Sequence, residues 1–260
     1  MGIKMYQVDA FTTKLFGGNP AAVCPLEKWL DDQTMQNIAL ENNLSETAFF
    51  VKDGDHYHIR WFTPTHEVSL CGHATLGSAF VLFNFIDKDA DSISFQSLSG
   101  ELIVDRDGNL LTLDFPSARP EACSADKVLL GAFPVEPLEV MYAKETFLLL
   151  FEKEEQIREM KPDIRALADA DALGIVITAK GDEVDFVSRF FAPKLGIDED
   201  PVTGFAHTIL TPYWAKKLKK KKLHALQVSK RGGELFVEDR GERVKISGRA
   251  VLYSIGEMMI

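Results

Sequence analysis

The feature that most constrains this fold is an internal repeat. One segment of the first half, Arg60-Trp61-Phe62-Thr63-Pro64, is similar to a segment of the second, Arg189-Phe190-Phe191-Ala192-Pro193. Further along, a second pair of segments matches: Gly100-Glu101-Leu102-Ile103-Val104 and Gly233-Glu234-Leu235-Phe236-Val237. The matched segments keep their order and stay about 130 residues apart, as the repeats of a duplicated chain do. We therefore interpret the chain as two halves with similar folds.

The local patterns within each half combine strands with one buried helix. His56–Phe62 and Leu110–Phe115 alternate apolar and polar residues as strands do. Ala74–Phe85 is apolar nearly all round, which is typical of a helix enclosed by other elements. We predict an α+β fold with two pseudo-symmetric halves, 1–116 and 117–260, each a mostly antiparallel sheet curled around a central helix. The final strand is free to pack back on the first half.

The composition limits the partners that this chain can have. Its 260 residues carry a net charge of −10, which argues against nucleic acid because phosphate binding needs an excess of Lys and Arg. The lysine-rich run Lys216–Lys222 is interpreted as a solvated helix end. No apolar run reaches the length that spans a membrane, and three cysteines without an export signal favour the cytoplasm. We expect a cytoplasmic protein that binds neither nucleic acid nor membrane.

One glycine in each half precedes a predicted helix start. Gly72 and Gly204 occupy corresponding positions of the repeat. A glycine lets a ligand approach the backbone, and the free N–H groups of a helix start attract carboxylates. Tight turns alone would explain either glycine. Their pairing by the repeat favours a binding site for a small carboxylic acid in a cleft between the halves.

Four motifs resemble the PhzF-like isomerases of the phenazine biosynthesis family. They are Gly17–Val23, Leu44–Phe49, Cys71–Thr75 and Glu199–Gly204, and they follow the family order over most of the chain. The resemblance implies the fold of diaminopimelate epimerase, with the active site between two halves. It also implies a homodimeric enzyme that isomerises its substrate by proton transfer, without a metal ion or an organic cofactor.

The resemblance assigns three catalytic residues. Glu46 matches the glutamate that removes a proton from one carbon and returns it to another, His73 matches the active-site histidine, and Asp200 matches the aspartate of the second half. From the residues alone, a helix cap and an Asp-Pro turn would also explain Glu46 and Asp200. The apolar strand after Glu46 is expected to withdraw its carboxylate from bulk water, which suits a proton carrier. The residues assigned to the substrate pocket are Asn19, Gly72, Ala74, Gly204 and Phe205.

One position departs from the family pattern, and two alternative functions stay open. Phe205 stands where the family usually has serine, which replaces a hydroxyl by bulk and leaves the substrate unidentified. The first alternative is a two-base racemase that uses Cys71, although the second half offers no matching cysteine. The second alternative is a small-molecule binding protein that keeps the scaffold without the activity. The preferred prediction is an isomerase with Glu46 as its single acid/base.

Overall fold

The structure is a computed structural model of the chain, and it describes residues 2–125 and 127–260. The chain divides into two compact units, Met1–Asp114 with Ser247–Ile260, and Phe115–Ile246. The boundary predicted after residue 116 lies close to this division, and the C-terminal segment belongs to the first unit. No helix among the described residues is long and apolar enough to cross a membrane.

The first unit is rich in strands and has two α-helices. Its strands are β1 (Gly2–Ala10), β2 (Asn19–Leu26), β3 (Glu46–Asp53), β4 (His56–Phe62), β5 (Glu67–Val68), β6 (Ser92–Ser97), β7 (Gly100–Asp107), β8 (Leu110–Pro116) and β18 (Ala250–Met259). Its helices are α1 (Asp32–Asn42) and α2 (Gly72–Val81), and a π-helical turn, Leu82–Ile86, extends α2. The pairs β2–β3 and β4–β6 are parallel. The pairs β1–β18, β1–β2, β3–β4, β4–β5, β6–β7 and β7–β8 are antiparallel.

Neighbouring residues of β2 explain why helices cover both faces of this sheet. In a strand, successive side chains point to opposite sides. Cys24 packs in a cluster with Met35 and Ile38 of α1. Val23 faces α2 instead, where its side chain lies 3.7 Å from the position that a Cβ atom of Gly77 would take. Eight of the ten residues of α2 are buried, as its apolar sequence predicts.

The second unit follows the same plan. Its strands are β9 (Glu121–Ala122), β10 (Glu139–Ala143), β11 (Thr146–Leu150), β12 (Gly174–Lys180), β13 (Phe186–Ala192), β14 (Ile197–Asp200), β15 (Lys222–Gln227), β16 (Gly233–Asp239) and β17 (Arg243–Gly248). Its helices are α3 (Lys127–Gly131), α4 (Glu154–Glu159), α5 (Ile164–Asp169) and α6 (Gly204–Leu218), with a 3₁₀ turn at Pro193–Leu195.

The order of strand pairing is the same in both units. In the second unit β11–β12 and β13–β15 are parallel, while β9–β10, β10–β11, β12–β13, β13–β14 and β15–β16 are antiparallel. Each parallel pair is joined through helices: α1 and α2 in the first unit, α4 with α5 and then α6 in the second. The mostly antiparallel α+β plan is confirmed, but these helical crossovers between parallel strands are not predicted by the local patterns.

The repeated arginine makes the same contacts in both units. Arg60 donates through Nε and Nη2 to Glu67, at 2.7 Å each, and Arg189 donates in the same way to Glu199, at 2.6 and 3.0 Å. Each guanidinium also lies over the phenylalanine ring two residues further along. Arg189 differs because its Nη1 also donates to two backbone carbonyls at the end of α4. The sequence string that carries the repeat therefore forms one charged pair in each unit.

The central helix of the second unit contains a proline. Pro212 lies inside α6 and has no N–H group to donate to the carbonyl of Thr208, four residues earlier. Ala118 donates its backbone N–H to that carbonyl instead, at 3.1 Å. The vacant acceptor is thus satisfied from outside the helix, and α6 continues to Leu218.

Candidate active site

Glu46 and His73 meet in the first unit. Glu46 begins β3 and pairs with Ala21 of the parallel neighbour β2. His73 is the second residue of α2. Glu46 Oε2 and His73 Nε2 lie 3.0 Å apart, and only 12% and 6% of their respective side-chain surfaces are exposed. The fold thus brings together two residues from separate sequence motifs.

The contact between these two atoms is close but poorly directed for a hydrogen bond. Within the described residues, neither Glu46 Oε2 nor His73 Nε2 has a hydrogen-bond partner, although both are buried. An unsatisfied buried polar group costs about 1–3 kcal/mol, so native proteins contain few of them. The two atoms attract each other as an ion pair when His73 is protonated, and the poor direction of their contact leaves room for directed hydrogen bonds to a ligand.

The other nitrogen of His73 lies in a small polar network. His73 Nδ1 is 3.2 Å from Asn19 Nδ2 and 3.5 Å from Cys71 Sγ. Ser45 donates its hydroxyl hydrogen to Asn19 Oδ1 at 3.2 Å. An amide nitrogen can only donate, so in the neutral ring Nδ1 accepts and the ring proton lies on Nε2, facing Glu46; the protonated ring carries a proton on Nε2 as well. This network fixes the position of the imidazole and, in the neutral ring, its tautomer.

Charge around the ring favours its protonated form. Burial by itself lowers the pKa of His73, but Cys71 and Glu46 together raise that pKa well above its usual value. Burial, followed by the negative charge of Glu46, raises the pKa of the Cys71 thiol to about 11. Since that thiol is neutral near pH 7, Glu46 is the remaining neighbour that opposes the effect of burial on the His73 pKa there. The pair therefore offers one N–H donor beside one carboxylate oxygen.

The backbone conformation of Gly18 positions Asn19 in this network. Gly18 has a φ of +62°, and a Cβ atom at this position would lie 2.1 Å from the carbonyl oxygen of Ala10. A positive φ suits glycine, which has no side chain to clash with the backbone. The turn places Asn19 fully buried at the start of β2. The Gly-Asn step of the first motif therefore has a clear structural reason.

The first turn of α2 completes the site in this unit. Gly72 begins the helix and is half-buried, while Ala74 is fully buried. Cys71 precedes the helix without a side-chain cap to its backbone. The first N–H groups of a helix have no partner within it, and they carry the positive end of its dipole. These groups suit an anionic part of a ligand.

Three side chains here are of kinds that bind transition metals. One atom each of Glu46, Cys71 and His73 lies within 4.8 Å of the others. Cys71 approaches Nδ1 of the ring, however, whereas Glu46 approaches Nε2. A metal ion binds one imidazole nitrogen, so it cannot contact the nearest atoms of all three residues. A site without a metal ion or an organic cofactor stays a prediction.

The predicted residues of the second half gather at the start of α6. Asp200 ends β14, is half-buried, and accepts the Thr203 hydroxyl hydrogen at 2.5 Å. Gly204 begins α6 and is buried, and Phe205 follows with 39% of its surface exposed. Thr203 precedes α6 as Cys71 precedes α2. The position that corresponds to Cys71 therefore has a hydroxyl in place of a thiol.

A buried glutamine, which the sequence analysis does not identify, fixes this segment. Gln227 accepts the backbone N–H of Thr203 at 2.8 Å and donates to the carbonyl of Asp200 at 2.8 Å. Its neighbours on the same face of β15, Leu223 and Ala225, are buried and apolar. In the sequence, a position of this kind is recognised as a polar residue that stands where the alternation of a strand predicts a buried apolar one.

The structure thus groups the predicted site residues into two sets. The first unit holds Asn19, Glu46, Gly72, His73 and Ala74, and the second holds Asp200, Gly204 and Phe205. The catalytic and binding roles of these residues, and the cleft expected for them, stay predictions.

Comparison with known proteins gives one consistent family. A family model described as phenazine biosynthesis-like protein, PhzC-PhzF, matches residues 8–256. An uncharacterized isomerase of Pseudomonas aeruginosa is 49% identical over 260 residues, which is 100% of each chain. The crystal structure of a PhzF-family phenazine biosynthesis protein of Enterococcus faecalis is 47% identical and has a TM-score of 0.98 over 100% of both chains.

A more distant likeness confirms the fold class. A hydroxyproline epimerase of Agrobacterium vitis has a TM-score of 0.65 at 10% identity, over 99% of this chain and 92% of its own. At that identity the likeness shows a shared fold alone. The family model and the two similar proteins confirm the resemblance that the four motifs predict. The chain belongs to the PhzC-PhzF family of phenazine biosynthesis-like proteins and is an isomerase.

Proposed function

We propose that this isomerase moves a proton between two carbons of a small carboxylic acid, with Glu46 as its single acid/base and without a metal ion or organic cofactor. The observation that carries the proposal is the buried pair of Glu46 Oε2 and His73 Nε2. The two atoms lie 3.0 Å apart, and neither has a hydrogen-bond partner among the described residues. A substrate that reaches this pair meets a base and a donor held side by side.

The proposed reaction balances with one shuttled proton. The Glu46 carboxylate takes a proton from a carbon next to a carbon–carbon double bond that is conjugated with the carboxyl group of the substrate. The C–H electron pair then delocalises into an enolate-like system. Glu46, now a carboxylic acid, returns the proton to a different carbon, and the electrons move back to form a double bond at a new place. Nothing is oxidised or reduced, so the reaction needs no electron carrier. General acid–base catalysis of this kind contributes about 10²–10⁴-fold to a rate.

His73 stabilises the charge that this reaction creates. The contact of Nδ1 with the Asn19 amide places a proton on Nε2, and Cys71 and Glu46 raise the pKa of the ring. The ring N–H next to Glu46 is therefore available to a negative oxygen of the intermediate. The N–H groups at the start of α2, around Gly72, attract the carboxylate of the substrate. This arrangement supports a small acid as the substrate class.

We extend the proposal to the second unit through the family motif. Asp200 is held by Thr203 and Gln227 in a defined position at the start of α6. We assign it a catalytic role, Gly204 a role in the substrate pocket, and the exposed ring of Phe205 a role in substrate choice. The same resemblance supports a cytoplasmic homodimer, for which sedimentation equilibrium should report two chains per particle.

The two alternative functions have less support. A two-base racemase needs a thiolate in each half, but the Cys71 thiol has a pKa of about 11. Thr203, which precedes α6 as Cys71 precedes α2, cannot replace the second thiolate. A catalytically silent binding protein is disfavoured by membership in a family whose curated relatives include proteins named isomerases.

Deuterium uptake from D2O tests the proposal. A panel of amino acids and cyclohexadienyl acids is incubated with the protein, and loss of C–H signals is followed by ¹H NMR. We expect wild type to exchange one C–H position of a panel member, and E46Q to do so at least about 100-fold more slowly. E41Q, which alters an exposed glutamate, should exchange like wild type. C71A, which removes a neighbour of His73, should still exchange the same C–H position.

Three results would contradict the proposal. Exchange by E46Q at the wild-type rate would remove Glu46 from the reaction. Loss of exchange in C71A, with E46Q unaffected, would favour the racemase. Exchange with no member of the panel would favour the binding protein.

A further inference from the structure

A second group of metal-binding side chains lies outside the candidate active site. It consists of Asp53, His56 and His58 on the hairpin of β3 and β4, and we call it the hairpin cluster. One ligand atom of each residue lies within 4.8 Å of the others. We propose that the hairpin cluster binds a divalent transition-metal ion of the Zn²⁺ type. This inference does not depend on the proposed function.

The strand geometry explains why these three residues share one side of the hairpin. His56 and His58 are two residues apart in β4, so their side chains leave the same face. Tyr57, between them, is buried on the opposite face. Asp53 is the register partner of His56 across the antiparallel pair. Directly paired residues project to the same side of a sheet, which brings the Asp53 carboxylate close to both rings.

Two distances within the hairpin cluster are close to those between the ligand atoms of a tetrahedral metal ion. Asp53 Oδ2 lies 3.2 Å from His58 Nε2 and 3.7 Å from His56 Nε2. Zinc binds these atoms at about 2.0–2.2 Å, so ligand atoms around it are about 3.3–3.5 Å apart. The two observed separations lie on either side of that range. Small side-chain rotations would therefore allow an ion to sit between the three atoms.

A further carboxylate supports the correct tautomer. Asp55 Oδ1 lies 3.4 Å from His56 Nδ1. A metal-binding histidine commonly donates its other ring N–H to a carboxylate, which leaves the lone pair of the binding nitrogen free. In this cluster Asp55 favours the proton on Nδ1 of His56, and Nε2 is the nitrogen that points toward Asp53. The donor set of two histidines and one carboxylate is one that zinc accepts, with water at the fourth position.

The hairpin cluster is open to an entering ion. The side chains of His56, His58 and Asp53 are 30%, 46% and 65% exposed. The group of Glu46, Cys71 and His73 differs, because Cys71 approaches Nδ1 of His73 whereas Glu46 approaches Nε2. In the hairpin cluster, by contrast, the Nε2 atoms of both histidines approach the same oxygen of Asp53.

Calorimetric titration with ZnCl₂ tests the proposal, on metal-stripped protein without a histidine tag. We expect wild type to bind one Zn²⁺ per chain and H56Q/H58Q to lose that binding. The matched control H66Q/H224Q removes two other histidines, one of which already pairs with a carboxylate, and should bind like wild type. C71S, which alters the other metal-binding group, should also bind like wild type. D55N should weaken binding about 10-fold, as loss of a supporting carboxylate does.

NMR of the histidine rings locates the ion independently of affinity. Stoichiometric Zn²⁺ should shift the ring resonances of His56 and His58 and leave those of His66 in place. Absence of binding in wild type would overturn the proposal, as would unchanged binding in H56Q/H58Q. Loss of binding in C71S, with H56Q/H58Q unaffected, would place the ion at Cys71 and also overturn it.

Discussion

Replacing Arg60 or Arg189 by methionine measures how much the ion pair of that arginine contributes to the stability of its unit. Methionine keeps a long side chain but removes every donor. In R60M, Glu67 loses two charge-assisted hydrogen bonds, and the only further ion pair described for this arginine joins it to Asp32, which is 80% exposed. Exposed pairs contribute about 0–1 kcal/mol. In R189M, Glu199 loses the same two bonds, and two carbonyls at the end of α4 lose a donor.

The second loss is therefore expected to be larger. Removing one member of a buried ion pair costs about 3–5 kcal/mol, and we expect R189M to fall in this range because only 12% of the Arg189 side chain is exposed. Each buried carbonyl left without a donor costs about 1–3 kcal/mol. We therefore expect R60M to lower the free energy of unfolding by about 2 kcal/mol less than R189M does.

Hydrogen exchange in increasing urea, read by mass spectrometry, measures peptides of each unit separately. That separation matters because a chain with two units need not unfold in one step. The controls R60K and R189K keep the charge but lose the bidentate geometry, so intermediate losses are expected. Equal losses in R60M and R189M, or a larger loss in R60M, would refute the role given to the two carbonyls.

Three further predictions follow from buried groups. Burial lowers the pKa of His207 to about 4, so the unfolded chain binds more protons than the folded chain between about pH 6.5 and 4. The free energy of unfolding therefore falls as the pH falls through this window. Urea titrations of H207Q should lack about 3 kcal/mol of the loss that wild type shows between pH 7 and pH 4. Q227L leaves the N–H of Thr203 without its acceptor, and we expect a stability loss of about 1–3 kcal/mol by denaturation, with lower turnover under the proposed function. G18A forces a Cβ atom against the carbonyl of Ala10, and we expect a lower melting temperature by calorimetry; an unchanged value would contradict the need for glycine.

The plan of the fold could be predicted because its strongest signals are local or repeated. A repeated string implies a repeated order of strands, and the same pairing order is present in both units. The apolar run Ala74–Phe85 predicts an enclosed helix, and α2 with its π-helical extension occupies it. The parallel direction of β2 and β3 could not be predicted. A short apolar run indicates a buried strand, but its periodicity does not separate a strand of a parallel sheet from one in the core of a sandwich.

The candidate site was harder to predict from the residues alone. Glu46 and His73 meet because β2 pairs with β3 and because α2 begins beside them, which are tertiary facts that no local pattern contains. Asn19 reaches the same ring only through the turn at Gly18. The resemblance to the family motifs identified these residues, but it did not predict which of them contact each other. Gln227 matched no motif, although its place in an alternating strand marks it as buried and polar.

The pairing of β18 with β1 has a consequence for synthesis on the ribosome. Gly2 pairs with Met259 and Ala10 with Ala250, so the first and the last strand of this sequence lie side by side. The unit Phe115–Ile246 is complete in the nascent chain before β18 is translated, and domains generally fold as units during translation. The first unit must wait for its closing strand. The unit that is translated first is therefore the one whose sheet is finished last.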